Sequence, residues 1–483
     1  MIIWGISANS HDAAITVVQD KEILFASQSE RYSGVKNDAH LNSLIVSDAK
    51  RYGEPDLVVW YERPLIKSLR QLRAGQGWVN NSAKQYVRSY GITAPVVTVD
   101  HHHSHAAGGY YTSTFDDAAV LVIDAIGEFD TTTIWHGKGN TLEKKFSIKY
   151  PHSLGLWYSA MTQRVGLKPN EEEYILMGMA AYGDPLKYTP MILEDFFDSS
   201  KLLKLRQNLH RGCMWWRPKL KTEQDMYDIA ASTQFVYEML FSDLLEQTKK
   251  LTGSKNLVLG GGCALNCVAN HITLKYFDNV WIMPNPGDAG NSLGAIPAYT
   301  KERIRFISPF LGHDTGKKYP IEGLISELKG VKLVGVANGR AEFGPRALGN
   351  RSLLADPRGS DIKDKVNEIK RRQKFRPFAP SILQEHAHEY FDMVTPSSPY
   401  MQFVARCKRP EEFPAIIHAD GTSRVQTVTE RDNPGYYKLL KAWYEETGCP
   451  MLLNTSLNIK GKPMVNNRTD ALAFEHKYGV RVL

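Results

Sequence analysis

Short apolar, β-branched runs separated by polar turns open the chain, and the same pattern returns further along it. The first copy, "IIWGIS…DAAITVVQDKEILFASQSE", predicts three strands with a tight connection at "QDKE". The second copy, "AVLVIDAIGEFDTTTIWHGKGNTLEKKFSIKY", predicts three more strands with a turn at "GKGN". The predicted strands cover residues 2–6, 13–19, 23–27, 120–125, 131–135 and 142–148. This repetition predicts an α/β fold built from two similar halves with a cleft between them.

Two loops that contain glycine follow buried strands in the next part of the chain. In "NLVLGGGCALNCVANHITL" a strand runs into three glycines and then a predicted helix, an arrangement that brings backbone amides close to a phosphate. "NVWIMPNPGDAGNSLGA" repeats the arrangement, with Asp288 in its loop. Each loop alone is more commonly a tight turn, but two in a duplicated frame favour the nucleotide cleft of an actin-like phosphotransferase. The residues expected to hold the nucleotide are Gly127, Thr131, Gly261, Gly262 and Asn266.

The composition changes between residues 301 and 330, where "KERIRFISPFLGHDTGKKYP" is polar and broken by proline and glycine. We expect a domain boundary there, with a duplicated domain over 1–310 and a smaller α/β domain over 325–483. The second domain begins with a predicted strand over 332–337 and continues into the motif "NGRAEFGPRALGNRSLLADPR".

The composition indicates a globular protein with large cores, since the chain has 483 residues, of which 42% are hydrophobic. Its five cysteines form no CxxC pair, so we interpret them as free thiols in a reducing compartment. No apolar stretch reaches the roughly 18 to 20 residues that a membrane span needs, and no basic leader precedes the first strand. We therefore expect a cytoplasmic protein with no membrane partner, and the sequence leaves its oligomeric state open.

The net charge of +7 leaves polyanions open as ligands, and two basic segments contain no acid. Segment 63–90 holds six Lys or Arg, of which Arg63, Lys67 and Arg70 are spaced to share one helical face, and segment 201–222 holds seven. The aromatic residues of these segments are Trp78, Tyr86, Tyr90, Trp215 and Trp216. Basic residues interleaved with aromatic ones are typical of a nucleic-acid groove, but two solvated basic faces explain the same charges.

The stretch "DHHHSHAAGG" predicts a helix over 101–112 with Asp100 as its N-cap. His101 and His105 stand at i and i+4 on one face of that helix, and His102 is a further candidate at i+3 from His105. Asp124 at a strand end and Asp288 in its loop are the carboxylates that complete a metal site, because strand ends on one side of a sheet face one crevice. Such a set suits Fe(II), Mn(II) or Zn(II). The alternative interpretation is a group of structural or exposed histidines that bind no metal.

The motifs of the chain resemble, in order, those of the ATP-dependent O-carbamoyltransferases of the nodulation-factor and aminoglycoside-tailoring type. They are "GISANSHDAA", "DHHHSHAA", "IDAIGEFDTTT", "MGMAAYG", "LGGGCALN", "GDAGNSLGA", "GRAEFGPRALGNRS" and "FRPFAPSI". The resemblance implies an actin-like N-terminal domain similar to the threonylcarbamoyl-adenosine transferase and a C-terminal domain similar to the enzyme that makes carbamoyl adenylates. It also implies iron held by His101, His105, Asp124 and Asp288. Two features depart from the family: Ile175 stands where a lysine is common, and the chain ends early.

The resemblance implies two half-reactions, in which carbamoyl phosphate and ATP give carbamoyl adenylate and the carbamoyl group then passes to a hydroxyl. The first step joins two polyanions and therefore needs clustered cations. Mg²⁺ bound with ATP is a further candidate cofactor. The family motifs assign catalysis to Lys370 and Arg376, and substrate binding to Arg340, Arg346, Arg424, Asn454 and Ser456. Arg351 stands beside them, and a solvated basic face is the alternative. We expect His11 in "ANSHDAA" to be the general base for the acceptor, a buried structural histidine being the alternative.

The acceptor hydroxyl is the least determined part of the prediction. The basic segments favour a polyanion, and a hydroxymethylated pyrimidine offers a primary alcohol, within DNA if the base is flipped out or as a nucleotide. Family precedent favours a sugar or secondary-metabolite hydroxyl. A tRNA threonylcarbamoyl transferase is more remote, because that pathway keeps its two activities on separate chains, and a catalytically dead nucleotide-binding module conflicts with the retained His, Asp, Lys and Arg residues.

Overall fold

The computed structural model describes every residue except Ala74, Lys317, Ser360, Lys374 and Pro377. The chain forms two compact units. The first comprises Met1–Ala26 and Ala39–Phe306, and the second comprises Ser27–Asp38 and Ile307–Leu483. The short segment 27–38 therefore belongs to the second unit, although the sequence analysis includes it in the first domain. Among the described residues, no helix has the length and apolar character needed to cross a bilayer.

The first five-stranded sheet of the first unit is formed near the N-terminus. Its strands are β1 (Ile2–Ser7), β2 (Ala14–Gln19), β3 (Glu22–Gln28), β4 (Leu57–Trp60) and β5 (Val96–Thr98). They lie in the order β3-β2-β1-β4-β5, with β1 antiparallel to β2 and parallel to β4. Three short helices of the first unit connect or follow them: α2 (Ser43–Lys50), α3 (Pro64–Arg73) and α4 (Ala83–Arg88). Helix α1 (Glu30–Ser33) follows β3 in the chain and lies in the segment that belongs to the second unit.

The second five-stranded sheet repeats this arrangement. Its strands are β6 (Asp117–Gly127), β7 (Asp130–Lys138), β8 (Thr141–Lys149), β9 (Asn256–Gly260) and β10 (Asn279–Ile282). Their order is β8-β7-β6-β9-β10, with β6 antiparallel to β7 and parallel to β9. Because the strand order matches throughout, and β6, β7 and β9 have the same relative directions as β1, β2 and β4, the duplication predicted from the sequence is confirmed in a repeated α/β unit.

The remaining helices of the first unit are α5 (His101–Thr112), α6 (Leu154–Arg164), α7 (Glu173–Met179), α8 (Thr189–Phe196), α9 (Glu223–Thr252) and α10 (Asn291–Thr300). Helices α5 and α10 approach closely because glycines face each other. A Cβ on Gly294 would lie 2.0 Å from the carbonyl oxygen of Ser104, and one on Gly108 would lie 3.0 Å from the Cα of Gly294. This contact sets the distance between the segments that carry the histidines and Asp288.

The segment after β9 corrects one prediction. The sequence analysis expects a helix after the three glycines, but the chain forms only 3₁₀ turns over Gly262–Leu265 and Ala269–Lys275. The backbone amides there are already used, since Gly261 donates to the carbonyl of Pro286 and Gly262 donates to Asp124. No α-helix N-terminus is therefore presented at this loop.

The second unit is built on a mixed five-stranded sheet. The strands of the whole unit are β11 (Phe310–Asp314), β12 (Leu333–Ala337), β13 (Arg340–Glu342), β14 (Arg351–Ala355), β15 (Ala379–Leu383), β16 (Phe391–Asp392), β17 (Val404–Cys407), β18 (Thr422–Arg424), β19 (Gln426–Val428) and β20 (Met451–Ser456). The main sheet has the order β12-β14-β20-β15-β19. Its helices are α11 (Ile321–Gly330), α12 (Ile362–Ile369), α13 (Ala387–Tyr390), α14 (Pro434–Thr447) and α15 (Arg468–Tyr478).

Both faces of this sheet are covered by apolar side chains. Leu353 packs with Val366 of α12 on one face, whereas its neighbour Leu354 packs with Leu440 and Trp443 of α14 on the other. The alternation follows from the two-residue period of a strand. The sheet is thus the centre of a three-layered α/β unit.

Candidate metal centre and catalytic residues

Helix α5 carries the histidines, and its first turn is fixed by Asp100. The Asp100 carboxylate accepts a hydrogen bond from the backbone N–H of His103 at 3.1 Å, as an N-cap does. Every residue of α5 except His103 is buried. One helical turn places the Nε2 atoms of His101 and His105 3.2 Å apart, facing the same space.

Two carboxylates from other elements reach the same space. Asp124 Oδ2, near the end of β6, lies 3.2 Å from His101 Nε2 and 3.7 Å from His105 Nε2. Asp288 Oδ1, from the loop before α10, lies 3.5 Å and 3.4 Å from the same two nitrogens. One ligand atom from each of the four residues falls within 4.8 Å of all the others. The structure therefore brings together the four residues expected to bind a metal.

The electrostatics of this cluster favour ionised carboxylates. Burial alone would raise the pKa of Asp124, but hydrogen bonds from the two histidines hold it well below its usual range. Burial and the charge of Asp124 oppose ionisation of Asp288, yet His101 lowers its pKa to about 2. Two buried carboxylates beside two imidazole nitrogens are a donor set that fits a divalent transition metal. Asn291 Nδ2, 3.0 Å from His105 Nε2, orients that ring.

His102 does not join the cluster, although it stands next to it in sequence. Its Nδ1 lies 3.0 Å from the hydroxyl of Thr133, and its ring is completely buried. Burial and the charge of His101 lower the pKa of His102 to about 3, so the ring is neutral. His103 stacks on Trp135 with 5.1 Å between the ring centroids. The geometry thus selects His101 and His105 from the four histidines.

Glu128 is a site residue that the sequence analysis missed. Its carboxylate accepts hydrogen bonds from the backbone N–H of His101 at 3.2 Å and of Arg63 at 2.6 Å. Burial and the charge of Asp100 raise the pKa of Glu128 to about 7. The residue has a left-handed φ of 48°, which gives the turn after "IDAIG" its shape. A charged residue in a tight turn is the signal that could have revealed it.

Gly127 packs directly against the rings of His101 and His102. A Cβ at this position would lie 2.3 Å from the ring of His101 and 2.8 Å from that of His102. Glycine is therefore needed for packing against α5. A role for Gly127 in holding the nucleotide stays a prediction.

Two other residues predicted to hold the nucleotide have different partners. The Thr131 hydroxyl is buried and donates to the carbonyls of His152 and Ile148, at 2.5 Å and 3.1 Å. The Asn266 side chain pairs with that of Gln234 and accepts from the backbone N–H of Ala269. These internal hydrogen bonds already engage both polar groups, and a role for Thr131 or Asn266 in holding the nucleotide stays a prediction.

His11 lies in the loop between β1 and β2, and both of its ring nitrogens have partners. Nδ1 is 3.0 Å from the carboxylate of Asp12, and Nε2 is 3.1 Å from the carbonyl oxygen of Asn170. Burial disfavours the charged ring, but the hydrogen bond with Asp12 and its charge outweigh burial and raise the pKa of His11 to about 9. Asn9, Asp12 and Asn170 all have positive φ, so the backbone around the ring is constrained.

In the second unit, Lys370 and Ser456 come together. The Lys370 ammonium is buried and contacts the Ser456 carbonyl, the Ser456 hydroxyl at 3.2 Å and the Asn458 side-chain oxygen at 2.9 Å. Burial and the charges of Arg372 and Arg376 lower the pKa of Lys370 well below its usual range. In the part of the chain that the structure describes, no carboxylate forms an ion pair with Lys370. Lys370, Arg372 and Arg376 are therefore a group of cations suited to an added anion.

Asn454 and Arg424 each leave a buried polar atom without a partner. Asn454 donates to Ser381 and Gln426, but its side-chain oxygen has none. The Nε of Arg424 is likewise buried and unpartnered. Such atoms are candidates for contact with a ligand.

The three arginines in and around "EFGPRALG" have different surroundings. Arg351 is fully buried and donates only to backbone carbonyls, those of Asn466, Asn338, Asn350, His313 and Gly339, so its role is structural. Arg340 donates to the carbonyls of Gly312 and Leu311. Arg346 is half-buried in the loop before β14, whose shape is fixed because Glu342 accepts from three backbone amides.

Three of the five aromatic residues of the basic segments have internal hydrogen-bond partners, and a nucleic-acid groove at these segments stays a prediction. Trp216 is buried and donates to Asp195 at 2.9 Å, while the hydroxyls of Tyr86 and Tyr90 bind the backbone of Leu41. Trp78 and Trp215 remain 60% and 52% exposed. Ile175, the departure from the family, is completely buried in α7.

Comparisons with known proteins agree with the motifs. A model of the carbamoyltransferase N-terminus matches residues 78–296, and a model of the carbamoyltransferase C-terminus matches residues 325–483. An uncharacterized Synechocystis protein is 34% identical over 97% of this chain and 93% of its own. Nodulation protein NolO of Bradyrhizobium diazoefficiens is also 34% identical, over 77% of this chain and 75% of its own. The 3'-hydroxymethylcephem-O-carbamoyltransferase of Amycolatopsis lactamdurans is 27% identical over 97% and 95%.

Proposed function

The chain belongs to the carbamoyltransferase family, and from that premise we propose that it makes carbamoyl adenylate from carbamoyl phosphate and ATP and transfers the carbamoyl group to an acceptor hydroxyl. The observation that carries the proposal is the convergence of His101, His105, Asp124 and Asp288 at the strand ends of the first unit. The cations Lys370, Arg372 and Arg376 of the second unit support the formation of carbamoyl adenylate.

The first half-reaction is assigned to the second unit. Water cleaves carbamoyl phosphate to carbamate and phosphate, and a carbamate oxygen then displaces pyrophosphate from the α-phosphorus of ATP. Both substrates are polyanions, so binding them together needs fixed positive charge. Lys370 offers a point charge, and Arg376 and Arg424 offer planar forks that match phosphate or carbamate oxygens. Asn454 and Ser456 add hydrogen-bonding groups, and Arg340 and Arg346 of the glycine-rich motif are further substrate-binding candidates.

The second half-reaction is assigned to the first unit. The acceptor oxygen attacks the carbamoyl carbon, the bond from that carbon to the AMP oxygen breaks, and AMP leaves. His11 accepts the hydroxyl proton at Nε2, which requires that the ring first be neutral and that Nε2 exchange Asn170 for the acceptor. Asp12 keeps Nδ1 hydrogen-bonded and so orients the ring.

His101, His105, Asp124 and Asp288 would hold a divalent metal. When bound there, such an ion polarises the carbamoyl carbonyl and neutralises phosphate charge. Iron is the metal that the family resemblance implies, and the donor set accepts manganese and zinc equally well. Gly261 and Gly262 border this site, since the Gly262 amide donates to Asp124.

For the acceptor we favour the hydroxymethyl group of a modified pyrimidine in DNA. The acid-free basic segments and the exposed Trp78 and Trp215 support a polyanion with stacking bases. The relative named as a 3'-hydroxymethylcephem-O-carbamoyltransferase supports an acceptor that carries a hydroxymethyl group. The same relative favours the alternative acceptor, a secondary-metabolite or sugar hydroxyl.

The test separates the two half-reactions. Without an acceptor, the purified protein with ATP and carbamoyl phosphate is expected to release pyrophosphate, and neither substrate alone is expected to do so. Labelled carbamoyl phosphate is then offered with hydroxymethylcytosine DNA, hydroxymethyl-dCMP and a panel of sugars, and each product is checked for the mass of one added carbamoyl group. Absence of pyrophosphate release would reject the first half-reaction. Labelling of a sugar and of no nucleotide would reject the DNA acceptor.

A further inference from the structure

Helix α3 has its apolar side toward solvent. Leu65, Leu69 and Leu72 stand at i, i+4 and i+7 on one face, and they are 62%, 45% and 49% exposed. Lys67, on the opposite side of the helix, and Ser68, on the flank of the leucine face, are each only 3% exposed. An amphipathic helix normally buries its leucines and exposes its lysine, so α3 is the reverse of the usual pattern.

Specific contacts hold α3 in this orientation. The buried Lys67 ammonium pairs with Glu62 at 2.7 Å and donates to the carbonyl of Asn9 at 2.8 Å. The Ser68 hydroxyl donates to the carbonyl of Val79 and accepts from the side chain of Asn81. Rotating the helix to bury the leucines would break an ion pair and these hydrogen bonds. The outward leucine face is thus a fixed feature of the unit.

The start of α3 is tied to the metal centre. The backbone N–H of Arg63 donates to Glu128, and the same carboxylate accepts the backbone N–H of His101. The Arg63 guanidinium also pairs with Asp100, the N-cap of α5, at 2.9 Å. Leu65, the first residue of the outward face, is therefore two residues from the Arg63 contacts to Glu128 and to the N-cap of α5.

The surroundings of the face are positive and aromatic. Arg73, Lys84 and Arg88 are exposed, and no acid occurs between residues 63 and 99. Trp78, five residues after the end of α3, is 60% exposed and adds an aromatic side chain to the same acid-free segment. A second copy of the chain, docked face to face, would place these like charges against each other. A partner that combines negative charge with flat apolar groups suits the face better, and a nucleic acid has both.

We propose that the outward face of α3 together with Trp78 is the surface on which DNA docks, with Leu69, Leu72 and Trp78 entering the base stack. Arg73, Lys84 and Arg88 bind the phosphates on either side. This inference rests on the DNA acceptor of the proposed function and adds how the base leaves the duplex. Apolar side chains inserted between base steps unstack them, and an enzyme that modifies a base in a duplex must extrude it.

The first experiment compares a Leu69→Ala/Trp78→Ala double variant with wild type on two acceptors. A short duplex with one hydroxymethylcytosine is expected to be carbamoylated at least tenfold more slowly by the variant. Free hydroxymethyl-dCMP and acceptor-independent pyrophosphate release are expected to be unchanged. The matched control is Leu472→Ala, which removes a leucine of similar exposure, 48%, from the second unit. Fluorescence of 2-aminopurine beside the target base reports unstacking, which the double variant is expected to lose.

The second experiment tests the phosphate contacts. Arg73→Gln and Lys84→Gln together are expected to lower the slope of log affinity against log salt by about 2, because each lost phosphate contact removes about 0.9 from the slope. The surface proposal is overturned if wild type carbamoylates the duplex and the double variant does so equally fast. It is also overturned if the variants instead abolish self-association in ultracentrifugation or binding to anionic vesicles. If wild type leaves every DNA substrate unmodified while it labels another acceptor, the acceptor proposal itself fails.

Discussion

The Nε2 atoms of His101 and His105 lie 3.2 Å apart, one helical turn from each other on α5. Two imidazole nitrogens at this distance share at most one proton between them, and two protonated rings would repel. Burial opposes the charged form of His101, while Asp288 and Asp124 raise its pKa well above its usual range. A divalent cation held by His101, His105, Asp124 and Asp288 would supply the positive charge at this site in place of a proton.

Replacing His105 with Ala is therefore expected to remove metal binding. Loss of one of four ligands is expected to lower metal affinity by about 100-fold or more, since even outer contacts are worth about 10- to 100-fold. Metal content after dialysis, measured by mass spectrometry, and the rise of Tm on adding metal check this. His103→Asn is the matched control, because His103 lies on α5 but stacks on Trp135. Equal metal content in wild type and the His105 variant would contradict the assignment.

Carbamoyl transfer is expected to increase with pH up to about 9. His11 must be neutral to accept a proton, and with its pKa raised to about 9 only about one ring in a hundred is neutral at pH 7. The value of kcat/KM for the acceptor should thus rise about tenfold per pH unit from 7 toward 9.

The group that raises this pKa can be tested directly. Asp12→Asn removes the charge that faces Nδ1, so the pKa of His11 falls and the plateau of the pH profile begins at lower pH. Asp288 also faces the ring electrostatically and is left in place. Asp20→Asn, at an exposed residue of the β2–β3 turn, is the control and should leave the profile unchanged. A profile that is flat between pH 7 and 9 in wild type argues against His11 as the base.

The features predicted correctly from the sequence are those with local causes. The strands and the N-cap of α5 follow from side-chain periodicity and from one capping aspartate. The convergence of Asp124 with the histidines follows because strand ends meet at one edge of a sheet. The duplicated sheet order was predictable because the same pattern occurs twice.

The features that were not predictable depend on where a side chain points. Thr131 and Asn266 have the chemistry of a nucleotide contact, but their polar atoms are bound by distant backbone and by Gln234. Arg351 stands in a glycine-rich motif typical of anion binding, yet it donates to the carbonyl of its neighbour Asn350 and to four carbonyls from distant positions in the chain. For α3, apolar periodicity favours buried leucines, and the ion pair of Lys67 with Glu62 together with the hydrogen bonds of Lys67 and Ser68 reverses the helix. Such contacts join residues that no local pattern connects.

The close approach of α5 and α10 gives a prediction for stability. A methyl group on Gly294 would lie 2.0 Å from the Ser104 carbonyl oxygen, so Gly294→Ala must push the helices apart. We expect a loss of about 1 to 3 kcal/mol in the free energy of unfolding, the usual range for overpacking, together with weaker metal binding. Chemical denaturation and metal titration measure the two effects. Gly330→Ala, where an added Cβ meets no neighbouring atom, should leave both unchanged. If Gly294→Ala left both the free energy of unfolding and metal binding unchanged, α5 and α10 would tolerate being separated.

Lys370 gives the sharpest test of the first half-reaction. Its ammonium is buried with oxygen partners from Ser456 and Asn458, and the charges of Arg372 and Arg376 add to burial in lowering its pKa. An anionic substrate relieves this repulsion, so Lys370→Met is expected to slow pyrophosphate release by about 100-fold or more, comparable to loss of one electrostatic stabiliser. Carbamoyl phosphate should raise the Tm of wild type and not that of the variant. Lys365→Met, at an exposed lysine of α12 paired with Asp361, is the control. If Lys370→Met releases pyrophosphate at the wild-type rate, the anion site must lie elsewhere in the second unit.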